Sequence, residues 1–276
     1  MRSDALSSIR SSLERLTPFG QGSSARVLEL GIPALDAALP QGGLAYGSVT
    51  ELQVQGTSGA ATSFALCACR AAQQRFFRQQ AFHQQPFHQQ PFHQQPFHQQ
   101  PVRSPWCAFI DPTATLFAPG VARLGVDLGH LLVVRPEIEA VNRVAIRIAE
   151  ANLVSVLVID VTGALPHGCA HGPGQPAVDE HSWQRTVRRL ALAVKSAPIC
   201  VLLITRAEQF QSLPLPTFLR LEFARRSTES FELRVAKDRT GRVSTAQNIA
   251  HSAFEPNQYL EQGNSLEPIV AARQVS

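Results

Sequence analysis

The stretch from Leu44 to Arg70, LAYGSVTELQVQGTSGAATSFALCACR, decides the fold. Val49 to Val54 reads as an apolar strand, Gly56-Thr57-Ser58-Gly59 as a small polar turn, and the residues from Ala60 to Gln74 as a helix rich in small side chains. A strand entering a glycine turn and then a helix is the layout of a phosphate loop, G-x-x-x-x-G-K-[ST]. There, backbone N–H groups cradle the phosphates, the Lys reaches the β/γ oxygens and the Ser/Thr hydroxyl holds magnesium. The register puts Val54 at the first Gly, keeps Gly59 as the last, and places Ala60 and Ala61 at the Lys and Ser/Thr positions. The frame is present without its chemical groups.

Working outward, Val27 to Pro40 reads as a short strand, a glycine turn and a short helix, followed by Gly42, Gly43 and Gly47. Further along, Trp106 to Asp111, Leu131 to Val134, Val154 to Asp160, Ile199 to Thr205 and Phe231 to Lys237 read as strands. Phe117 to Leu124, Ile138 to Ala151 and Trp183 to Lys195 read as helices between them. Strands that are apolar throughout and alternate with helices predict an α/β fold, a mainly parallel sheet covered on both faces. Residues 4–16 place Leu6, Ile9, Leu13 and Leu16 at helical spacing, which predicts an amphipathic helix within an N-terminal segment of residues 1–24. The expected core then spans 25–243, and the thinning apolar pattern beyond it predicts a tail over 244–276.

One segment breaks the pattern. Phe-His-Gln-Gln-Pro occurs four times from Phe82 to Pro101, within an expected disordered insertion over 76–105. Proline at every fifth position forbids a regular helix, and glutamine-rich sequence buries too little apolar surface to offset its ordering entropy.

At 276 residues and 44% hydrophobic, the chain can bury a large core, and no apolar run is long enough to span a membrane. No basic-then-apolar leader opens the sequence, so a cytoplasmic protein is expected. The net charge is +4, and of the 25 basic residues only Lys195 and Lys237 are lysine. A mild basic excess permits nucleic-acid binding without demonstrating it. His167, Cys169 and His171 form one metal-like cluster without a fourth ligand nearby, so no metal and no cofactor is expected.

Over roughly residues 5 to 242 these segments resemble the RecA recombinase core. The carrying stretches are GIPALDAALPQGGLAYGSVTEL, CAFID, ARLGVDLGHLLVVRPE, LVIDVTGAL, FLRLEFARR and LRVAKDR. The resemblance implies a RecA-like core with a degenerate phosphate loop. Beyond Val54, Ala60 and Ala61, Thr113 stands where the family has the glutamate that activates water. Gly120 stands where an aromatic stacks on adenine, and Arg206 replaces the glutamine that senses the γ-phosphate. Only Asp160 keeps the acidic residue that would help hold magnesium. Losing these groups together removes most of the electrostatic stabilisation of phosphoryl transfer, which predicts a protein that is not an ATPase.

With this degeneracy and the entry Leu39-Pro40-Gln41-Gly42-Gly43-Leu44, the chain resembles the ImuA family of damage-induced mutagenesis. That resemblance implies a non-catalytic adaptor in translesion DNA synthesis. Its implied partners are ImuB, an inactive polymerase that binds the sliding clamp, RecA, and indirectly an error-prone polymerase. It also implies weak or indirect DNA binding, no membrane, and association with the nucleoid after damage. The alternatives are a relative of the cell-division inhibitor SulA and a residual RecA-type DNA-binding ATPase.

Function would then reside in surfaces. Leu6, Ile9 and Leu13 belong to a helix that in RecA packs on the adjacent protomer, or else folds on its own domain. Lys237 and Arg239 match a basic pair that in RecA reaches a neighbour's ATP, against the reading of an ordinary strand end. Arg185, Arg188 and Arg189 follow a loop that matches the first DNA-facing loop of RecA, against the reading of a solvated helix face.

Overall fold

The computed structural model of the chain describes residues 27–56, 59–83, 104–163, 180–208 and 215–256. The elements in order are β1 (Val27–Leu28), α1 (Pro33–Ala38), β2 (Leu44–Ala45), β3 (Ser48–Gln55), α2 (Ala60–His83) and β4 (Cys107–Ile110). They continue with α3 (Ala118–Arg123), β5 (Leu131–Val134), α4 (Val141–Ala151), β6 (Val156–Asp160) and α5 (Glu180–Val194). The last are β7 (Cys200–Arg206), β8 (Leu219–Arg225), β9 (Ser230–Asp238) and β10 (Gln247–Ala250).

Eight strands form one sheet in the order β10-β9-β8-β3-β7-β6-β4-β5, while β1 and β2 pair separately. The six strands from β8 to β5 run parallel, and β9 and β10 join antiparallel at one margin. The structure is therefore α/β with a mainly parallel sheet flanked by helices, as the alternating apolar strands predict, and consistent with a RecA-like core. Strands β4 and β6 are buried at every position, the pattern of strands covered on both faces.

The two faces have separate cores. On one, α2 lies across β3, β4, β6 and β7 with Ala60, Ala61, Phe64, Ala65, Cys67, Ala68 and Cys69 at 0% exposure. Small side chains let the helix backbone approach the sheet closely, and Phe64 fills the remaining width edge-on against Phe223, ring centroids 5.5 Å apart. On the other face α4 and α5 pack side by side over Val49, Leu157, Ile159, Val201 and Leu203. The turn into β3 is equally tight. Gly47 has φ +71°, and a Cβ there would lie 2.8 Å from the Lys195 carbonyl oxygen, so only glycine fits.

Two expected boundaries change. Helix α2 continues nine residues past Gln74, through an Ala/Arg/Gln/Phe run without a breaker, and its backbone is helical to His83. The insertion therefore starts later than residue 76; residues 84–103 lie outside those described. The core also extends past 243. Residues 247–250 pair with β9, and the 3-10 turn His251–Phe254 folds against α2. Phe254, within the expected tail, is 3% exposed and stacks on Phe231 at 5.1 Å. Arg70, itself buried, donates to the carbonyls of Leu124 (3.0 Å) and Phe254 (3.3 Å), tying this turn to α2. No described helix is long and apolar enough to cross a membrane.

If the segment belongs to the core, Phe254→Ala lowers the unfolding free energy by about 3–5 kcal/mol, the cost of deleting a buried phenyl ring. Urea denaturation followed by circular dichroism measures it. A change within about 0.5 kcal/mol would return residues 247–254 to the status of a tail.

Candidate functional site

The parallel strands β3, β4, β6 and β7 all end at the same margin of the sheet, where ligands of open α/β sheets bind. There a cleft of about 600 Å³ opens beside the first turn of α2. Gly59, Thr62 and Ser63 line it from α2, Asp160 and Thr162 from the end of β6, and Phe117 and Gly120 from α3. His251, Phe254 and Glu255 complete the wall.

Each predicted position can be placed. Val54 is 4% exposed and still within β3, paired with Arg206 on β7 and Phe223 on β8. Its side chain packs in the α2 core. Gly59 begins the first turn of α2, its carbonyl accepting from the Ser63 N–H at 2.9 Å. Ala60 and Ala61 follow at 0% exposure, their methyl groups inside the same core. A methyl group offers neither a cation for phosphate nor an oxygen for a metal.

Asp160 keeps its carboxylate near the cleft, but both bonds it accepts come from Thr162, from the backbone N–H at 2.9 Å and from the hydroxyl at 2.7 Å. Burial raises its pKa most, the nearby Asp111 carboxylate adds to the rise, and the Thr162 bonds and Arg206 oppose it. Asp111, fully buried, organises the next turn by accepting from the N–H groups of Thr115 (3.0 Å) and Leu116 (2.9 Å). Arg135 approaches the same carboxylate at 3.7 Å. That turn carries Thr113 to the Asp160 side of the cleft, where its methyl would sit 2.6 Å from a Cβ on Gly163. Thr113 therefore packs against the backbone that follows Asp160 and brings no carboxylate. Gly120 leaves its wall open, yet an aromatic is present: Phe117, 69% exposed, reaches within 3.6 Å of where a Gly120 Cβ would stand. Its aromaticity was visible in the sequence, but its position in the wall was not.

The basic candidates separate. The Lys237 ammonium turns inward and donates to the Leu215 carbonyl at 3.0 Å, and burial lowers its pKa. Arg239 is exposed, so the pair does not present two cations side by side. Arg185, Arg188 and Arg189 occupy the outer face of α5, with Arg189 3.8 Å from Glu150 on α4. With both partners more than half exposed, that pair contributes less than about 1 kcal/mol. Arg206 ends β7 beside Val54. Leu6, Ile9, Leu13 and the cluster His167, Cys169 and His171 lie outside the described residues.

Sequence reading missed one group. Glu51, in the middle of β3, is 0% exposed and accepts from Arg220 Nε (2.8 Å) and from the Thr205 hydroxyl (3.1 Å). The signal was a lone acid in an apolar strand, directly in register with an arginine on β8.

No family model matches the chain. It is similar to the protein RecA of Gluconacetobacter polyoxogenes, 32% identical over 176 residues. The match covers 59% of this chain, and the chain spans only 41% of that relative's length. The sequence relationship is thus RecA-like.

Two substitutions test the electrostatics. Glu51→Gln leaves Arg220 with no carboxylate in a largely buried setting and lowers stability by about 3–5 kcal/mol by urea titration at pH 7. Asp160→Asn keeps an oxygen for Thr162 and removes a buried charge. Because the folded pKa is raised, the native carboxylate weakens the protein above the ordinary value of 3.8, and this penalty disappears as pH falls through that value. The variant should therefore match or exceed the wild type in stability at pH 7, with the advantage lost below pH 3.8. A lower stability at pH 7 would show that the charge is used.

Proposed function

We propose that this chain is a non-catalytic RecA-like adaptor of the complex that performs damage-induced translesion DNA synthesis, of the ImuA kind. It binds ImuB and RecA, meets the error-prone polymerase indirectly, contacts DNA weakly or through its partners, and joins the nucleoid after damage. The observation that carries this reading is the pair Ala60 and Ala61, both at 0% exposure in the first turn of α2. Phosphoryl transfer depends on a cation at the β/γ-phosphates, a metal ligand and a group that orients the attacking water. Ala60, Ala61 and Thr113 supply none of the three, and Asp160 is bonded to Thr162. The scaffold is kept while those groups are absent, which supports a protein that works by binding.

Three surfaces are assigned to partners under this reading. The segment with Leu6, Ile9 and Leu13, whose spacing predicts a helix, docks on a RecA protomer, and exposed Arg239 approaches the nucleotide borne by that protomer. Lys237 supports this indirectly, by holding Leu215 beside the same strand end. Arg185, Arg188 and Arg189 give α5 a cationic outer face for phosphates.

A second reading, a residual DNA-binding ATPase, is favoured by the open cleft and by Phe117 in its wall. One experiment separates the two. The full chain is tested for ATP turnover with and without single-stranded DNA, and for co-purification with ImuB and with RecA. The adaptor reading expects no turnover above background, capture of ImuB, and RecA capture weakened at least fivefold by Arg239→Ala. DNA-stimulated turnover would establish the ATPase, and capture of division proteins in place of ImuB would point to a SulA-like inhibitor.

A further inference from the structure

Strand β5 ends the sheet, and among the described residues no strand pairs with its outer edge. That edge is apolar. Leu132 and Val133 are 47% and 37% exposed, and Leu128, Phe117, Trp106 and Phe77 are exposed around it. Between β5 and α3 runs a groove of about 280 Å³ lined chiefly by Leu116, Ala118, Val121, Leu128, Leu131 and Val133. An uncovered, hydrophobic edge strand is a template for another extended segment, and a patch of this kind marks a docking surface.

The chain supplies an occupant of matching chemistry. The ring of Phe77, near the end of α2, and the ring of Trp106, just before β4, both contact His130, at 5.4 and 5.3 Å. His130 immediately precedes β5, so the chain re-enters the fold at the start of this edge through Trp106, and α2 passes the same point at Phe77, six residues and about 9 Å of helix before it ends at His83. An extended run the length of residues 84–103 reaches about 30 Å out and back, more than the roughly 13 Å of a four-residue strand. Between Pro86 and Pro101 it carries three identical units, Phe87–Gln90, Phe92–Gln95 and Phe97–Gln100, each of four residues between prolines. Proline cannot donate to a ladder, so one unit is the longest stretch with every N–H available, and β5 is also four residues long. In an extended unit Phe and the first Gln share one face, and His and the second Gln the other. One large apolar side chain per unit thus meets one apolar groove.

We propose that the edge strand β5 and its groove are the docking site for a Phe-His-Gln-Gln unit of this chain's own residues 84–103. The unit pairs along β5 and seats its phenylalanine over Val121, Leu131 and Val133. The short tether keeps the local concentration of units high, so a contact too weak to hold a free peptide holds here. Three equivalent units share the site, each excluding the others, and strand addition of this kind draws affinity from backbone bonds and specificity from the alternate side chains.

Hydrogen–deuterium exchange on the full chain tests this, beside a variant carrying Phe87→Ser, Phe92→Ser and Phe97→Ser. The expected result is at least tenfold faster exchange at residues 131–134 in the variant, with β4 and β6 unchanged. A synthetic two-repeat peptide, PFHQQPFHQQP, added to the variant should restore slow exchange, and its Ser-for-Phe counterpart should not. Val133→Asp in the otherwise native chain should reproduce the fast exchange. Equal rates at 131–134 in the native chain and the triple variant overturn the proposal. So does protection that rises with protein concentration, which would assign the edge to a second copy. If the triple variant also loosens β4 and β6, the peptide decides, and failure to restore protection overturns the proposal.

Discussion

The close approach of α2 to the sheet is the constraint on which the rest of the structure depends. For three turns the helix presents Ala and Cys on nearly every side, with Phe64 and Leu66 as the larger members, all within the core. A helix that is apolar all round is stable only when covered all round. The sheet covers one side of α2, and β1, the α3 region and the turn His251–Phe254 cover the others. The placement of β1 and of the turn that follows β10 meets that requirement.

The same constraint shapes the cleft. In a working phosphate loop the first turn of the helix faces ligand and carries charge. Here the side chains at 60 and 61 face the core, and the adjoining carboxylates satisfy themselves locally, Asp111 with the turn that follows it and Asp160 with Thr162. The carboxylates at this margin of the sheet are thereby partnered within the chain. Charge is concentrated instead one row deeper, where Glu51 and Arg220 bridge β3 and β8. Breaking such a buried pair costs several kcal/mol, because it leaves one charge buried without its partner.

Much of the fold was legible because the signals were local. Five apolar strand segments and the Ala-rich helix declared themselves by composition, and Ala60 and Ala61 could be placed by counting from Gly59. What escaped depended on contacts distant in sequence. Strand β8 alternates Leu, Arg, Leu, Glu and Phe because only one of its faces is covered, and β10 is four residues of mixed character given meaning by β9. Phe254 reads as a stray aromatic until Phe231 is beneath it. Phe117 enters the cleft through a turn built by Asp111, which no spacing rule reveals. Lys237 and Arg239 are two residues apart, but β9 ends at Asp238 between them, and only Lys237 turns in to the Leu215 carbonyl.

The bond from Arg70 to the Phe254 carbonyl joins residues 184 apart in the chain. On a ribosome making about 5–20 residues per second, α2 would wait roughly 10–40 seconds for the segment that completes its outer flank. During that interval the Ala- and Cys-rich first half of α2 has one flank bare, in a nascent chain that cannot yet fold to completion. The late arrival of Phe254 therefore sets a window in which that flank is exposed, and the speed of translation through β8 and β9 determines how long the window stays open.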